Sequence, residues 1–489
     1  MKYQKEQRPT LEELQIFARD YPVVPVAREI MADMETPIAV MKKMQAVSSC
    51  CFMLESAPGG TQRSRYSFLG FDPSLELKCK AGKLTVTGST VTKETVKDPA
   101  PYIRKILAEY NSPRLEYLPT FTGGFVGYFA YEYCRYCEAK LDFPDVTALN
   151  DVDLMLFDKV IAFDHLLQKI VLIVNIKTND LAKNFAKAQL DLDTLERLVT
   201  GPLPQEDQSG RLLSEFSNEF DLEEYKEVVN KAKHYIKEGD IFQVVPSNDK
   251  CAKYQGSLLN AYRVLRSSNP SPYMFFFSGH AIQMMGASPE TLVKLTDGKI
   301  ATFPIAGTAP RGTTPEGDRI LAEALLSDEK ELAEHNMLVD LGRNDLGRIA
   351  EFGSVKVKDY QALQKFSRVM HITSTVEGQI REGLDGLDAI RATLPAGTLS
   401  GAPKIRAMEI IHELEKSPRG IYGGAVGYLD FTGNMDVCIG IRMAVKYGDE
   451  VHVRSGGGVV ADSVPEKEYT ETVNKAAAVI DAIKLAQEV

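Results

Sequence analysis

Two pairs of glutamates, each three residues apart, are the side chains with the plainest chemical use: Glu331 with Glu334, and Glu468 with Glu471. On an α-helix, residues at i and i+3 project from one face, so each pair offers two carboxylates in one place. Hard oxygen donors of this kind suit Mg²⁺, which takes one or two protein carboxylates and leaves positions for water and substrate. The plain alternative is that both pairs face solvent, since acidic pairs at this spacing are common on exposed helices. For the second pair a helical wheel permits that: Val473, Ala476, Ala477, Ile480 and Ile483 form one stripe, with Glu468, Glu471 and Lys475 opposite. For the first pair it fits less well. Leu338 shares the stripe of Glu331 and Glu334, and an unpaired charge on a partly apolar face is costly.

Glycine-rich segments come next. Gly456, Gly457 and Gly458 follow a strand-like run and precede the second acidic helix. Consecutive glycines let backbone N–H groups approach an anion without side-chain obstruction, although a tight turn explains them equally. Neither Walker spacing nor GxGxxG is present, which disfavours a nucleotide. Two further loops, FPIAGTAPRG at 303–312 and LPAGTLSGAP at 394–403, read as connectors. Residues 340–348, DLGRNDLGR, read as a helix terminus held by Asp–Arg pairs. His371 lies in an apolar run, the setting of a hydrogen-bonded core histidine. Cys134 and Cys137 have CxxC spacing but no second Cys/His pair nearby, so packed thiols are the default.

The elements that must position these residues are mixed. Strands are expected at 51–55, 66–70, 84–87, 125–128, 170–176, 241–246, 273–278, 282–287, 292–295, 425–430, 437–445 and 450–455. Helices are expected at 181–199, 221–238, 318–326, 327–341, 386–393, 403–414 and 465–487, with Ser327 capping the first acidic helix and Gly342 ending it. Strands and helices do not alternate one for one, which implies α+β with large antiparallel sheets. Pro, Gly, Ser and acidic residues dominate 201–220, dividing the chain into 1–200, a linker or loop at 201–220, and 221–489. GGFVGY at 123–128 recurs as GGAVGY at 423–428, either a duplication or two glycine-rich strands that pack closely.

At 489 residues the chain exceeds a single simple core, and 44% hydrophobic with 25% charged residues is ordinary globular composition. A net charge of −10 without a basic run disfavours nucleic acid and anionic membranes. No apolar stretch is long enough for a membrane span or a signal peptide. Seven scattered cysteines point to a reducing, cytoplasmic setting.

Together the segments resemble the chorismate-utilising enzyme family. The matching motifs are SPE (288–290), PIAGT (304–308), AEHNMLVDLGRND (333–345), SRVMHITSTVEG (367–378), GTLSGAPK (397–404), GGAVGY (423–428) and SGGGVVADSVPEKEYTETVNKA (455–476), with LES (54–56) and RYSFLG (65–70) extending the likeness. The resemblance implies a sandwich of antiparallel sheets flanked by helices, with 221–489 as the chorismate-binding catalytic domain. It implies that Glu334 and Glu471 coordinate Mg²⁺, supported through water by Glu331 and Glu468, and that the ion holds the ring carboxylate of chorismate. Tyr422, Arg442 and the Gly456–Gly458 backbone would receive the enolpyruvyl carboxylate, which arginine can meet bidentately. Lys475 would offset the second negative charge, and Gly307 and Thr308 would line the pocket. Glu290 takes the general-acid position, which requires a raised pKa; Thr398 and His371 complete the catalytic group, His371 in the loss of pyruvate. Ala306 stands where some relatives carry a nucleophilic lysine, and Gln243 where isochorismate-forming relatives carry a lysine base. Both departures favour ammonia as nucleophile and anthranilate as product. Aminodeoxychorismate formation and a catalytically silent tryptophan-binding regulator are the alternatives. No glutaminase cysteine elbow is present, so ammonia is expected from a separate glutamine amidotransferase subunit. The likeness also implies feedback inhibition by tryptophan, with residues 1–200 carrying part of its site: Ser56 beside Glu55, together with Pro272, Tyr273, Met274, Val426 and Tyr428.

Overall fold

The computed structural model describes residues 7–56, 65–138, 140–141, 148–204, 209–365 and 369–488. Residues 367 and 368 of the SRVMHITSTVEG run, and 205–208 within the expected linker, lie outside them. Two sheets, of 13 and 12 strands, dominate the molecule. Between them lies one apolar layer, where Phe52, Phe68, Phe275 and Phe277 of the first sheet meet Val126, Tyr128, Phe157 and Val426 of the second. Helices Pro37–Gln45, Leu181–Thr200, Leu259–Ser268 and Pro465–Leu485 bury the outer face of the first sheet. Helices Ala100–Ala108, Glu329–Gly347 and Gly386–Thr393 bury that of the second. The large antiparallel sheets are those expected from the strand and helix patterns, and their helix-flanked sandwich is the one the resemblance implies.

Segments on either side of 201–220 share both sheets. Strand Cys51–Glu55 pairs with Tyr273–Ser278 in the first, and Gly124–Phe129 pairs with Ala425–Asp430 in the second. The second pairing explains the sequence echo. Its register sets Gly127 opposite Gly427, with Tyr128 opposite Val426 and Val126 opposite Tyr428. A Cβ on Gly127 would strike the Asp153 carbonyl, and one on Gly427 that of Asp436, so the two glycine strands are needed for close approach.

Three expectations differ from the structure. The run expected as one strand at 437–445 is two, Met435–Ile439 in the second sheet and Met443–Tyr447 in the first, because the chain changes sheets at Gly440–Arg442. The first acidic helix is Glu329–Gly347, capped by Asp328 and not Ser327. It runs through Gly342, whose missing side chain lets the helix approach Thr302: a Cβ there would lie 3.0 Å from Thr302 Cγ2. Residues 241–246 contribute only Gln243–Val244, a short ladder with Gly401–Ala402.

Candidate active site

Two chain crossings between the sheets build the site. Strand Ile282–Ser288 belongs to the first sheet and Thr291–Thr296 to the second, so Pro289 and Glu290 form one crossing. The other is Gly440–Arg442, where Arg442 takes the left-handed φ of 51°. They are tied together: Ile439 N–H donates to the Glu290 carbonyl at 3.0 Å, and Ala287 N–H to the Arg442 carbonyl at 3.0 Å. The acid and the cation are thereby carried on adjoining turns.

The Glu290 carboxyl sits in a small cavity with Thr398, Leu338, Leu341, Gly342 and Asp345. Burial pushes its pKa up to about 7, opposed by the Thr398 hydroxyl, which donates to Oε1 at 3.2 Å, and by the field of Lys475. A carboxylic acid that retains its proton near neutrality is suited to general-acid work. Thr398 is presented by the 394–403 loop, which two cations fasten from below. Arg419 donates to the carbonyls of Leu399 (2.5 Å) and Val245 (2.6 Å), and its charge is met by Glu415 at 2.5 Å. Lys404 donates to Asp345 at 2.9 Å and to the Thr393 carbonyl at 3.3 Å.

The two acidic helices converge on the same cleft. Burial, then Glu334, then Asp328 push the Glu331 carboxyl up, and Glu471 on the other helix adds to it. Burial and Glu471 likewise raise Glu468. Lys475 reaches Glu471 at 2.6 Å and the Gly456 carbonyl at 3.0 Å. Oxygen Oε2 of Glu468 is buried with no hydrogen-bond partner, and a Cβ on Gly457 would lie 3.1 Å from it and 3.4 Å from Glu471 Oε1. Four carboxylates from two helices, one with an orphaned oxygen facing a glycine cradle, are donors of the type a hard divalent cation takes, although no three of them among the described residues offer oxygens all within 4.8 Å of one another.

The glycine-rich side of the cleft, expected to receive an anion, is assembled alongside. A Cβ on Gly456 would lie 2.9 Å from the Tyr422 hydroxyl, and one on Gly458 would strike Gln243 Nε2. Half-buried Arg442 feels both Tyr422 and Glu471. Gly307 is the extra residue of a β-bulge between Ile305–Pro310 and Val369–Gln379, with φ 69°. Its carbonyl and the Thr308 hydroxyl lie 3.0 and 3.1 Å from His371 Nδ1. A carbonyl only accepts, so Nδ1 carries the proton and Nε2 the lone pair. Burial and Arg442 hold the imidazole pKa below its ordinary value.

Some expected residues gather elsewhere. Ser56 and Met274 line a cavity of about 1060 Å³ between central strands of the first sheet and the 430–435 turn of the second, with Glu55, Arg65, Ser67, His165 and Arg266. Pro272, Tyr273, Val426 and Tyr428 are not among its described lining residues. The Tyr273 hydroxyl instead reaches Thr291 and Asp436, each at 2.8 Å, and Tyr428 packs on Phe121 in the inter-sheet layer.

The fastening residues are not among the expected site residues. Residues 340–348 are expected to form Asp–Arg pairs, and Asp340–Arg343 is one, but Asp345 is buried against Lys404. The signal available was an i,i+4 Glu415/Arg419 pair beside an apolar helix.

Known proteins resemble this chain in sequence and fold. A family profile described as chorismate binding enzyme matches residues 49–481. Anthranilate synthase component 1 of Acetivibrio thermocellus is 44% identical over 98% of this chain and 99% of its own length. That of Aquifex aeolicus is 45% identical over 98% of each. The crystal structure of anthranilate synthase component I from Streptococcus pneumoniae superposes with a TM-score of 0.77 at 36% identity, covering 92% of this chain and 98% of that one. The chain belongs to the family of chorismate binding enzymes.

Proposed function

We propose that this chain is the chorismate-converting component of an anthranilate synthase, a Mg²⁺-dependent lyase of tryptophan biosynthesis working in the cytoplasm. Ammonia adds at C2 of chorismate while the C4 hydroxyl leaves as water. Loss of the C2 proton and of the enolpyruvyl ether as pyruvate then makes the ring aromatic. Supporting this most directly is Glu290, a half-buried acid with a pKa of about 7 set between a hydroxyl donor and the cationic side of the cleft.

In this reading Glu290 delivers its proton to the departing C4 oxygen, and Thr398 orients the carboxyl. Arg442, Tyr422 and the Gly456–Gly458 backbone hold the enolpyruvyl carboxylate. Lys475, already paired with Glu471, offsets charge. Gly307 and Thr308 orient His371, whose Nε2 lone pair is placed to take a proton in the second step. Glu334 and Glu471, backed by Glu331 and Glu468, would hold Mg²⁺, which supplies positive charge for the ring carboxylate. Gln243 and Ala306 provide neither an activated water nor an amine, leaving ammonia as nucleophile. The ammonia is assigned to a separate glutamine amidotransferase subunit. Tryptophan is assigned to the inter-sheet cavity around Ser56 and Met274 as feedback inhibitor, with residues 1–200 supplying part of that site.

The isolated chain, given chorismate, ammonium and Mg²⁺, is expected to form fluorescent anthranilate and pyruvate. An accumulating aminated product that keeps its enolpyruvyl ether would sink the reading in favour of aminodeoxychorismate formation. Absence of turnover would leave only a tryptophan-binding role.

A further inference from the structure

Away from the cleft, one mixed cluster of donors has no part in the chemistry above. We propose that Cys50, Glu76 and His280 form a second metal site, for a borderline-soft divalent ion such as zinc. One donor atom from each lies within 4.8 Å of the others. Cys50 Sγ is 3.5 Å from Glu76 Oε1, and a ring nitrogen of His280, Nε2, is 3.4 Å from the same oxygen. A tetrahedral ion with bonds of about 2.0–2.3 Å holds its ligands roughly 3.3–3.7 Å apart. Two of the three donor spacings are therefore already close to those of a filled site. Sulfur and imidazole donors select zinc over Mg²⁺, so the site differs in kind from the all-carboxylate cleft.

The outer groups are also in place. Ser49 Oγ lies 3.3 Å from His280 Nδ1, turning Nε2 toward the cluster. Lys78 holds Glu76 Oε2 at 2.7 Å, leaving Oε1 for the ion. Such supporting contacts fix the orientation of metal ligands. Charge balances as well. Lys78 and a divalent ion together carry three positive charges, against Glu76, a Cys50 thiolate and neighbouring Asp153, which acts on Lys78. Without an ion, burial keeps the Cys50 thiol protonated, its pKa pushed up to about 11, and the S–H donates to Glu76. An ion would take the place of that proton.

The three ligands come from both sheets. Cys50 precedes strand Cys51–Glu55, and His280 lies on the turn between Tyr273–Ser278 and Ile282–Ser288, all in the first sheet; Glu76 is on Leu75–Lys80 of the second. Cys50 and Glu76 are buried, whereas the His280 side chain is 65% exposed, which provides the entry path. The ion would tie the two sheets together, with water in its fourth position.

The test is to strip the full-length chain with chelator and titrate it with Co²⁺ as a spectroscopic probe. One equivalent is expected to give thiolate-to-cobalt charge-transfer absorption, displaced by Zn²⁺. Cobalt held by cleft carboxylates gives no such band. Cys50→Ser and His280→Ala should abolish it, Cys251→Ser should not, and Ser49→Ala should weaken affinity about 10–100-fold. Because His280 lies on an exposed turn, its variant is expected to fold. Added zinc should then raise the melting temperature of the parent chain but not of His280→Ala. No thiolate band at stoichiometric cobalt, or a band that survives His280→Ala, overturns the proposal.

Discussion

The cleft and the inter-sheet cavity draw on the same residue types and treat them in opposite ways. In the cavity, the Glu55 carboxylate accepts from Ser67 (3.0 Å), Tyr262 (2.7 Å) and Arg266 (2.8 and 3.0 Å). Arg65 is likewise met by Asp164 at 2.6 Å. Every charge named there has a counter-charge before any ligand arrives. In the cleft, Glu331 and Glu468 are raised by burial and by other carboxylates, and one Glu468 oxygen has no hydrogen-bond partner. The lesson is one of reserve. A finished cavity can only be filled, whereas an uncompensated cleft gains most from a cation and an anionic reactant that complete it, which is where binding energy can be directed to the reaction.

The sharpest way to break this contrast is Glu290→Gln, which removes the acid while keeping its shape. Turnover of chorismate should fall roughly 10²–10⁴-fold with substrate affinity retained; a loss of only a few-fold would remove Glu290 from the chemistry. Glu471→Gln should raise the Mg²⁺ needed for half-maximal rate by about 10–100-fold, an order expected for disrupting a metal site, and excess Mg²⁺ should restore much of the activity. If the requirement is unchanged, the cleft carboxylates do not hold the ion.

The pH profile discriminates more finely. With Glu290 as the proposed general acid, its protonated form is the active one, so the rate should decline as pH rises through about 7 and approach a tenfold loss per unit beyond it. Thr398→Val removes a hydroxyl that stabilises the ionised carboxyl, so this alkaline limb should move upward; a downward move would mean that Thr398 accepts, not donates. In the cavity, Ser67→Ala deletes one of several contacts to Glu55. It should weaken tryptophan inhibition about fivefold, the worth of roughly one hydrogen bond, while uninhibited turnover stays as it was. A change in turnover with inhibition intact would reverse the assignment of the two regions.

Much of the framework was legible where local pattern and tertiary setting agree. Strands Cys51–Glu55, Tyr273–Ser278 and Ala425–Asp430 and helix Gly386–Thr393 fall on the expected bounds, because β-favouring runs or a capping Asp385 mark their ends. What failed was set by distant partners. Gly342 reads as a helix stop but serves close packing on Thr302, and the break at Gly440–Arg442 follows from a change of sheet that neighbouring residues do not encode. For the site, the i,i+3 glutamates could be found by spacing, since a helix alone puts them on one face. Glu290 could not: SPE has no local peculiarity, and its raised pKa arises only when the second sheet and the 394–403 loop close over it. It entered through family resemblance.

The two crossings carry a mechanical consequence. Glu290 and Arg442 each occupy a turn anchored in one sheet on its N-terminal side and in the other on its C-terminal side. Any slide of one sheet over its neighbour must be shared among these turns and the other crossings, at 72–74 and Asp158, because the hydrogen-bonded ladders to either side cannot stretch. The acid and the guanidinium thus act as a gauge of inter-sheet alignment. A molecule wedged between the sheets at the Ser56 cavity would act on the same gauge from its far end, altering the reaction without touching a reacting atom.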